Sequence, residues 1–265
     1  MRLAMKNLVG KALVVGLFAG GAFAQAPAAQ QQPAQQQPAR PAAPAREPAD
    51  VPKIKGADDP SNAFLKRHEG FLKDLKEKNG KVGILFVGDS ITDGWRNRGK
   101  EVFAKNYGSL DPLNIGIGGD RTQHVLWRLD HGEVEGISPK VAVLMIGTNN
   151  LGNAPSNENI VEGVTKIVKE LNEKLPSTKV LLLAIFPRDE KPDTRNRASI
   201  KQINEQLAKL DDGGKHVKYL DIGPKFLESD GTLSKEIMPD FLHPNERGYE
   251  IWADSMEPTL VQLMK

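Results

Sequence analysis

Residues 82–92 read Val-Gly-Ile-Leu-Phe-Val-Gly-Asp-Ser-Ile-Thr. The run from 82 to 87 is short, apolar and partly β-branched, which predicts a buried strand. The small and acidic residues after it predict the turn at the carboxyl end of that strand. In an open parallel sheet this end faces the ligand crevice. Ser90 therefore lies where a nucleophile can act, although a serine in this position is also an ordinary helix N-cap.

The rest of the chain alternates between strand-like and helical segments. Further strands are predicted at 113–117, 141–146, 180–185 and 217–220, and helices at 101–107, 121–129, 157–175, 195–210 and 246–264. A first helix is predicted to start with Asp59 as its cap and Pro60 at its first position, and to stop at Gly80. Continuous apolar strands between amphipathic helices are typical of an α/β fold with a parallel sheet covered on both faces.

The start of the chain has the features of a secretion signal. Residues 1–24 combine a basic start, an apolar stretch at 12–23 and the sequence Ala22-Phe23-Ala24, with small residues at the two positions that a signal peptidase reads. A membrane-spanning helix needs about 20 apolar residues. We therefore expect cleavage after Ala24, export to the periplasm or the outside, and no transmembrane segment in the mature chain. An uncleaved N-terminal anchor is the alternative.

Composition sets the remaining limits. Residues 25–56 are rich in Gln, Pro and Ala and predict a disordered linker, which leaves 57–265 as the folded domain. The balance of 36 Lys+Arg against 34 Asp+Glu gives no indication of a nucleic-acid partner. The absence of cysteine excludes disulfides, zinc–thiolate sites and a cysteine nucleophile.

Unusual residues lie in the loops that follow the predicted strands and before the last helix. These stretches are 88–90, 116–120, 147–150 and 239–245. The glycines at 116–119 invite comparison with a dinucleotide fingerprint, but the position of its final glycine holds Arg121. No phosphate loop of the Gly-Lys-Ser/Thr kind is present. A nucleotide site is therefore not supported.

Together, these loops hold the parts that an activated serine needs. A serine nucleophile requires a base, a group that orients the base, and donors for the oxyanion. His243 can be the base, and Asp240 can fix its tautomer from three residues earlier. The N–H groups of Ser90 and Gly119 and the side-chain amide of Asn149 can serve as oxyanion donors.

Each of these residues also has an ordinary structural interpretation. Asn149 can be a turn residue, and Gly119 can simply permit a positive φ. Asp240 can be a helix cap and His243 a surface histidine. The coincidence of all these residues in strand-end loops favours the nucleophile interpretation of Ser90. His124 and His131 have no orienting acid in such a loop, and His216 lies in a Gly-Lys turn.

The four blocks resemble those of the SGNH, or GDSL, hydrolase family. The matching residues are Ser90 in Gly-Asp-Ser, Gly119 in Gly-Ile-Gly-Gly-Asp, Asn149 in Gly-Thr-Asn-Asn, and Asp240 with His243 in Asp-Phe-Leu-His. This resemblance implies a flavodoxin-like three-layer α/β/α sandwich with a five-stranded parallel sheet. It also implies carboxylic ester hydrolysis by a serine triad with no metal and no organic cofactor.

Residues 114–129 are especially similar to the catalytic α subunits of the type Ib platelet-activating-factor acetylhydrolases. The resemblance favours a short acyl group, acetyl, and suggests a homodimer. The exported start favours an extracellular carbohydrate ester as substrate. Phospholipid esters, cleaved as by an acetylhydrolase of that type or a lysophospholipase, are the alternative. A catalytically inactive binding module is the alternative of another class.

Two side chains near the predicted site are candidates for substrate contact. Trp95, with two arginines close behind it, follows the nucleophile and can line the mouth of a pocket. Arg188 lies just beyond the strand end at Phe186-Pro187 and faces the same sheet edge. Trp127, on the helix after the glycine-rich loop, is expected to pack in the core.

Overall fold

The computed structural model describes residues 46–57 and 61–265, which lie in one compact unit. Within these residues the sheet has the strands β1 Ile84–Gly88, β2 Pro112–Asn114, β3 Val141–Met145, β4 Lys179–Leu183 and β5 Val217–Leu220. All neighbouring strands are parallel, and their order is β2-β1-β3-β4-β5. The predicted α/β class with a five-stranded parallel sheet is confirmed. In this order the ligand crevice lies outside the carboxyl ends of β1 and β3, where the winding reverses.

Helices cover both faces of the sheet. They are α1 Ala63–Lys78, α2 Ser90–Asp93, α3 Lys100–Tyr107, α4 Thr122–Asp130, α5 Asn157–Lys174, α6 Arg195–Leu207 and α7 Glu246–Leu263. Side chains of β1 alternate between two cores, because successive residues of a strand point to opposite faces. Leu85 lies in the core formed with α1, α4, α5 and α6, whereas Phe86 lies in the core formed with α3 and α7. The result is the expected three-layer sandwich.

Helix α1 begins later than the sequence predicted. Asn62 is its N-cap, and the Asn62 side chain accepts a hydrogen bond from the Leu65 N–H at 3.1 Å. α1 thus starts at Ala63, and the predicted start at Asp59 and Pro60 was wrong for this helix; those two residues lie outside the described residues. The predicted stop at Gly80 is close, since Asn79 ends α1 in the left-handed conformation.

Residues 46–57, called the N-terminal arm here, pack against the domain instead of belonging to a linker. Ala49 is fully buried, and its N–H donates to Asn159 Oδ1 at 2.7 Å. Its carbonyl accepts from Thr122 Oγ1 at 2.6 Å, and the Lys53 N–H donates to the Gln123 carbonyl at 3.0 Å. The prediction of a disordered linker was therefore wrong for residues 46–56. These backbone bonds reach partners more than sixty residues away in the chain, which local composition does not reveal.

The predicted signal peptide at 1–24 and the linker from 25 to 45 lie outside the described residues. Across residues 46–57 and 61–265, none of the helices combines the length and the apolar composition that crossing a membrane requires.

Candidate active site

The nucleophile candidate stands at the start of helix α2. Asp89, not Ser90, is the N-cap of this helix, because Asp89 Oδ1 accepts from the Ile91 N–H at 2.9 Å. Ser90 is the first helical residue, and the N–H of a residue in this position has no partner within the helix. The loop after β2 approaches α2 so closely that a Cβ on Gly116 would lie 2.5 Å from the Asp93 nitrogen. Ser90 therefore sits on a short helix held by two strand-end loops.

A hydrogen-bonded chain runs from Ser90 to the loop before α7. Ser90 Oγ lies 2.9 Å from His243 Nε2, and His243 Nδ1 lies 2.6 Å from Asp240 Oδ2. The second carboxylate oxygen, Asp240 Oδ1, accepts from the backbone N–H groups of Leu242 at 3.2 Å and His243 at 2.8 Å. Phe241 takes a left-handed φ of 57°, which turns the chain back so that carboxylate and imidazole meet. The structure thus brings Ser90 together with Asp240 and His243, although Ser90 and His243 are 153 positions apart in the sequence.

The electrostatics of this chain favour one tautomer of His243. Burial raises the pKa of the Asp240 carboxyl, but its hydrogen bonds with the His243 ring and with the backbone N–H groups lower the pKa more, to below the usual value. Asp240 is therefore a carboxylate at neutral pH and accepts the proton of His243 Nδ1. The lone pair of His243 Nε2 is left to accept from the Ser90 hydroxyl.

The two other predicted site loops, 116–120 and 147–150, meet beside Ser90. Gly119 has a φ of +73°, a conformation that L side chains rarely adopt. The Asn149 side-chain Nδ2 donates to the Asp120 carbonyl at 2.9 Å and lies 3.4 Å from Asp89 Oδ2. Its amide thus ties together the residue before Ser90 and the residue after Gly119. All the sequence-predicted donors lie at one sheet edge, and the Asn149 hydrogens are engaged with these neighbours.

A buried ionic cluster beneath the glycine-rich loop was not predicted from the sequence. Arg128 is fully buried and donates to Asp120 Oδ2 at 3.0 Å, to the Ile115 carbonyl at 2.9 Å and to a carboxylate oxygen of Glu133. Glu133 Oε1 in turn lies 2.7 Å from His68 Nδ1. Burial lowers the pKa of Arg128, but the Glu133 and Asp120 carboxylates raise it more, so the guanidinium stays charged. The sequence showed these residues only as charges on or beside a helix.

The histidines on helices α1 and α4 have structural contacts of their own. His68 is buried, and its Nδ1 is engaged with Glu133. Burial, aided by Lys55 and Arg121, lowers the pKa of His124 to about 3. The neutral His124 ring accepts the Arg121 N–H through Nδ1 at 3.1 Å. Neither histidine is available as a base for Ser90.

The structure does not place Trp95 at the mouth of a pocket. Its side chain is 1% exposed, and its ring centroid lies 4.4 Å from that of Tyr249 and 5.0 Å from that of Trp252. The turn after α2 directs the indole into the core against α7, so the prediction of substrate contact was wrong for this residue. Trp127 packs on the core as predicted, but it is only partly buried.

Arg188 lies against the loop that carries Asn149. Its Nη1 donates to the Thr148 carbonyl at 3.3 Å and lies 3.4 Å from Thr148 Oγ1. The side chain is about one quarter exposed. Substrate contact by Arg188 therefore stays a prediction, beside a role in holding Thr148 that the structure shows.

Asp89 gives a prediction for the pH dependence of stability. The carboxyl is fully buried. Burial, aided by the charge of Asp120, raises its pKa from the ordinary 3.8 to about 7, although the hydrogen bond from the Ile91 N–H lowers it. The unfolded chain then loses this proton at lower pH than the folded chain. The stability of the wild type relative to Asp89→Asn should therefore fall as the pH rises from about 4 to about 7 and stay constant above. The fall is at most about 4 kcal/mol, since one pKa unit is about 1.4 kcal/mol.

Thermal unfolding of both proteins across this pH range measures the effect. The exposed Asp254→Asn is the matched control and should follow the wild type at every pH. A difference between wild type and Asp89→Asn that stays constant from pH 4 to 8 would contradict the raised pKa.

Comparison with known proteins then identifies the family. A family model described as the GDSL-like Lipase/Acylhydrolase family matches residues 86–251. The chain belongs to this family. It is 35% identical over 221 residues to the human platelet-activating factor acetylhydrolase IB subunit alpha1, covering 83% of this chain and 91% of that protein. This GDSL acylhydrolase is a carboxylic ester hydrolase, and the resemblance found in the sequence is confirmed.

Solved structures agree on the fold. A GDSL-like lipase from Bacteroides thetaiotaomicron superposes with a TM-score of 0.61 at 18% identity, over 74% of this chain and 97% of that chain. The acetylxylan esterase Axe2 from Geobacillus stearothermophilus superposes with a TM-score of 0.54 at 18% identity, over 70% of this chain and 96% of that chain. At these identities the two comparisons show the shared GDSL fold alone.

Proposed function

We propose that this GDSL acylhydrolase is a serine esterase in which Ser90 is the nucleophile. The observation that carries the proposal is the hydrogen-bonded chain from Ser90 Oγ through His243 to Asp240, with links of 2.9 and 2.6 Å. A serine is a weak nucleophile until a base within hydrogen-bond reach takes its proton. His243 is that base, and the ionised Asp240 holds its ring and stabilises the imidazolium that forms.

The proposed reaction has two halves. Ser90 Oγ attacks the ester carbonyl while its proton moves to His243 Nε2, and the resulting oxyanion is held by the N–H groups of Ser90 and Gly119. The Asn149 amide is the third donor, through the hydrogen that here makes only the long 3.4 Å contact with Asp89. His243 then gives its proton to the leaving alcohol. Water repeats the sequence on the acyl-enzyme and releases the acid.

The substrate we propose is a short acyl ester with acetyl as the acyl group. Its support is the relative at 35% identity, which is named an acetylhydrolase. The export predicted from residues 1–24 favours an extracellular carbohydrate as the acceptor. The words "platelet-activating factor" in the name of that relative favour a phospholipid ester as the second candidate. The homodimer suggested by the sequence stays a prediction.

A serine-directed fluorophosphonate probe tests the proposed nucleophile. We expect one adduct per chain, which peptide mass spectrometry locates at Ser90, and no adduct on Ser90→Ala. Absence of labelling on folded protein would instead support the binding module. Turnover of acetylated xylan, of short and long p-nitrophenyl esters and of an acetylated phospholipid then distinguishes the carbohydrate from the lipid candidate.

Asn149→Ala tests the third oxyanion donor. Removing one such donor costs roughly 10²–10³-fold in kcat in a serine hydrolase, so we expect a fall of that order on p-nitrophenyl acetate with little change in KM. Asn157→Ala is the matched control, because its side chain is bonded to Gln202 on the surface of α5 and α6. A kcat within about threefold of the wild type for a folded Asn149→Ala protein would show that Asn149 is not an oxyanion donor.

A further inference from the structure

The N-terminal arm brings a cation to the glycine-rich loop. The Lys55 ammonium donates to the Gly118 carbonyl at 2.5 Å and lies 3.6 Å from Asp120 Oδ1. A Cβ built on Gly119 would lie 3.1 Å from Lys55 Nζ, so the ammonium sits directly on this part of the loop. The arm itself is fixed by the bonds of Ala49 and Lys53 to the domain. Lys55 is thus held in place and is not a free surface side chain.

The carbonyl that Lys55 holds belongs to the same peptide group as the Gly119 N–H. A peptide group is planar and trans, so its C=O and N–H point in opposite directions. Fixing the Gly118 oxygen on the side of Lys55 therefore fixes the Gly119 hydrogen on the opposite side. A donor on the carbonyl also polarises the peptide and strengthens the bond that its N–H makes, and a charged donor does so most.

The local turn makes such an anchor necessary. The Asp120 N–H donates to the Ile117 carbonyl at 3.1 Å, which closes a turn with Gly118 and Gly119 at its centre. The φ of +73° at Gly119 matches the third position of a type II turn. Type I and type II turns differ by a flip of the central peptide, and glycine on both sides of that peptide offers little steric resistance. A flip would turn the Gly119 N–H away from its present direction.

We propose that Lys55 is a positioning residue for the oxyanion hole, which holds the Gly118–Gly119 peptide so that the Gly119 N–H faces the reacting carbonyl. This inference rests on the proposed function, because it assigns a task to the Gly119 N–H in that reaction. Lys55 touches neither Ser90 nor the substrate carbonyl in this arrangement. It acts through the peptide.

Neutralising Asp120 is the alternative role for Lys55. Asp120 Oδ2 already accepts from the buried Arg128 at 3.0 Å. The Lys55 ammonium is 3.6 Å from the other oxygen, Oδ1, which is beyond hydrogen-bond distance, whereas its bond to the Gly118 carbonyl is direct. A purely ionic role predicts a loss of stability, and a positioning role predicts a loss in kcat. The two are therefore separable by experiment.

Lys55→Met tests the proposal, because it removes the ammonium and retains most of the apolar stem. We expect kcat on p-nitrophenyl acetate to fall about 10-fold, which is less than the loss of a whole oxyanion donor, with KM changed less than about twofold. The rate of fluorophosphonate labelling, which also develops charge on an oxygen in that hole, should fall by a similar factor. Lys55→Arg keeps a cationic donor and should recover most of both rates.

Lys53→Met is the matched control, since Lys53 is in the same arm but its ammonium pairs with Glu47 on the surface. It should keep wild-type rates. If Lys55→Met lowers kcat and labelling while its unfolding temperature stays close to that of Lys53→Met, the positioning role is supported. Rates equal to those of Lys53→Met would overturn it, as would a fall in stability with unchanged kcat.

Ser90→Ala is measured in parallel to separate this inference from the proposed function. Loss of activity and of labelling in Ser90→Ala, together with unchanged rates in Lys55→Met, overturns the role of Lys55 alone. Activity and labelling that persist in Ser90→Ala overturn the proposed function, and with it the task assigned to Lys55.

Discussion

Ser90→Ala is expected to lower the turnover of p-nitrophenyl acetate by about 10⁴–10⁶-fold, and His243→Ala by a similar factor. The physical reason is the bond of 2.9 Å between Ser90 Oγ and His243 Nε2, which makes nucleophile and base one functional unit. Without the hydroxyl there is no acyl acceptor, and without the imidazole the hydroxyl keeps its proton. The double variant should therefore be little worse than either single variant, because effects within one unit are not additive.

His216→Ala is the control for this experiment, since His216 is exposed in a turn before β5. It should keep the kcat of the wild type. Circular dichroism and thermal unfolding show whether each variant is folded, so that lost activity is assigned to chemistry. Near-full activity in folded Ser90→Ala, or losses that multiply in the double variant, would mean that Ser90 and His243 do not act together on the ester.

The sheet was predictable because its strands are locally encoded. β3 was predicted to within one residue, because a continuous apolar run flanked by polar residues defines a buried parallel strand. β5 was predicted with its observed bounds, although it is an edge strand that contains Lys218 and has only Val217 buried. β2 was predicted at 113–117 but ends at Asn114. Beyond Asn114 the N–H groups of Ile115 and Ile117 still donate to β1 carbonyls, at 2.9 and 3.4 Å, but the Gly116 N–H donates to the Asn114 side chain at 2.8 Å. A run of apolar residues does not reveal this side-chain bond.

The candidate site was predictable for a related reason. In a parallel sheet the carboxyl ends of all strands lie at one edge, so unusual residues in those loops must meet. The nucleophile in Gly-Asp-Ser and the acid and base in Asp-Phe-Leu-His could therefore be assigned to one site from the sequence. The prediction of substrate contact by Trp95 was wrong because the direction of its side chain depends on packing against α7, more than 150 residues later. Lys55 was missed because its partner, the Gly118 carbonyl, is 63 residues away.

The buried Arg128 gives the largest expected effect on stability. Arg128→Met leaves the carboxyl groups of Asp120 and Glu133 fully buried without the guanidinium that contacts them both. Removing one partner of a buried ion pair costs about 3–5 kcal/mol. We expect a loss of that size in the free energy of unfolding, measured as a lower urea midpoint with an unchanged slope. Arg247→Met, which removes an exposed guanidinium 3.6 Å from Glu236, should change it by less than about 0.5 kcal/mol.

A compensated variant shows whether the charge or the packing of Arg128 is responsible. In Asp120→Asn/Arg128→Met/Glu133→Gln the three charges are removed together, and replacing a whole buried ionic group is often close to neutral. This triple variant should recover most of the stability that Arg128→Met loses. An Arg128→Met protein as stable as Arg247→Met would contradict the ionic role of the cluster.

Arg128 also donates to the Ile115 carbonyl, at the root of the loop that carries Gly119. We therefore expect Arg128→Met to lower kcat as well as stability. The triple variant should regain stability without regaining full kcat, because neither new amide at 120 or 133 replaces that bond.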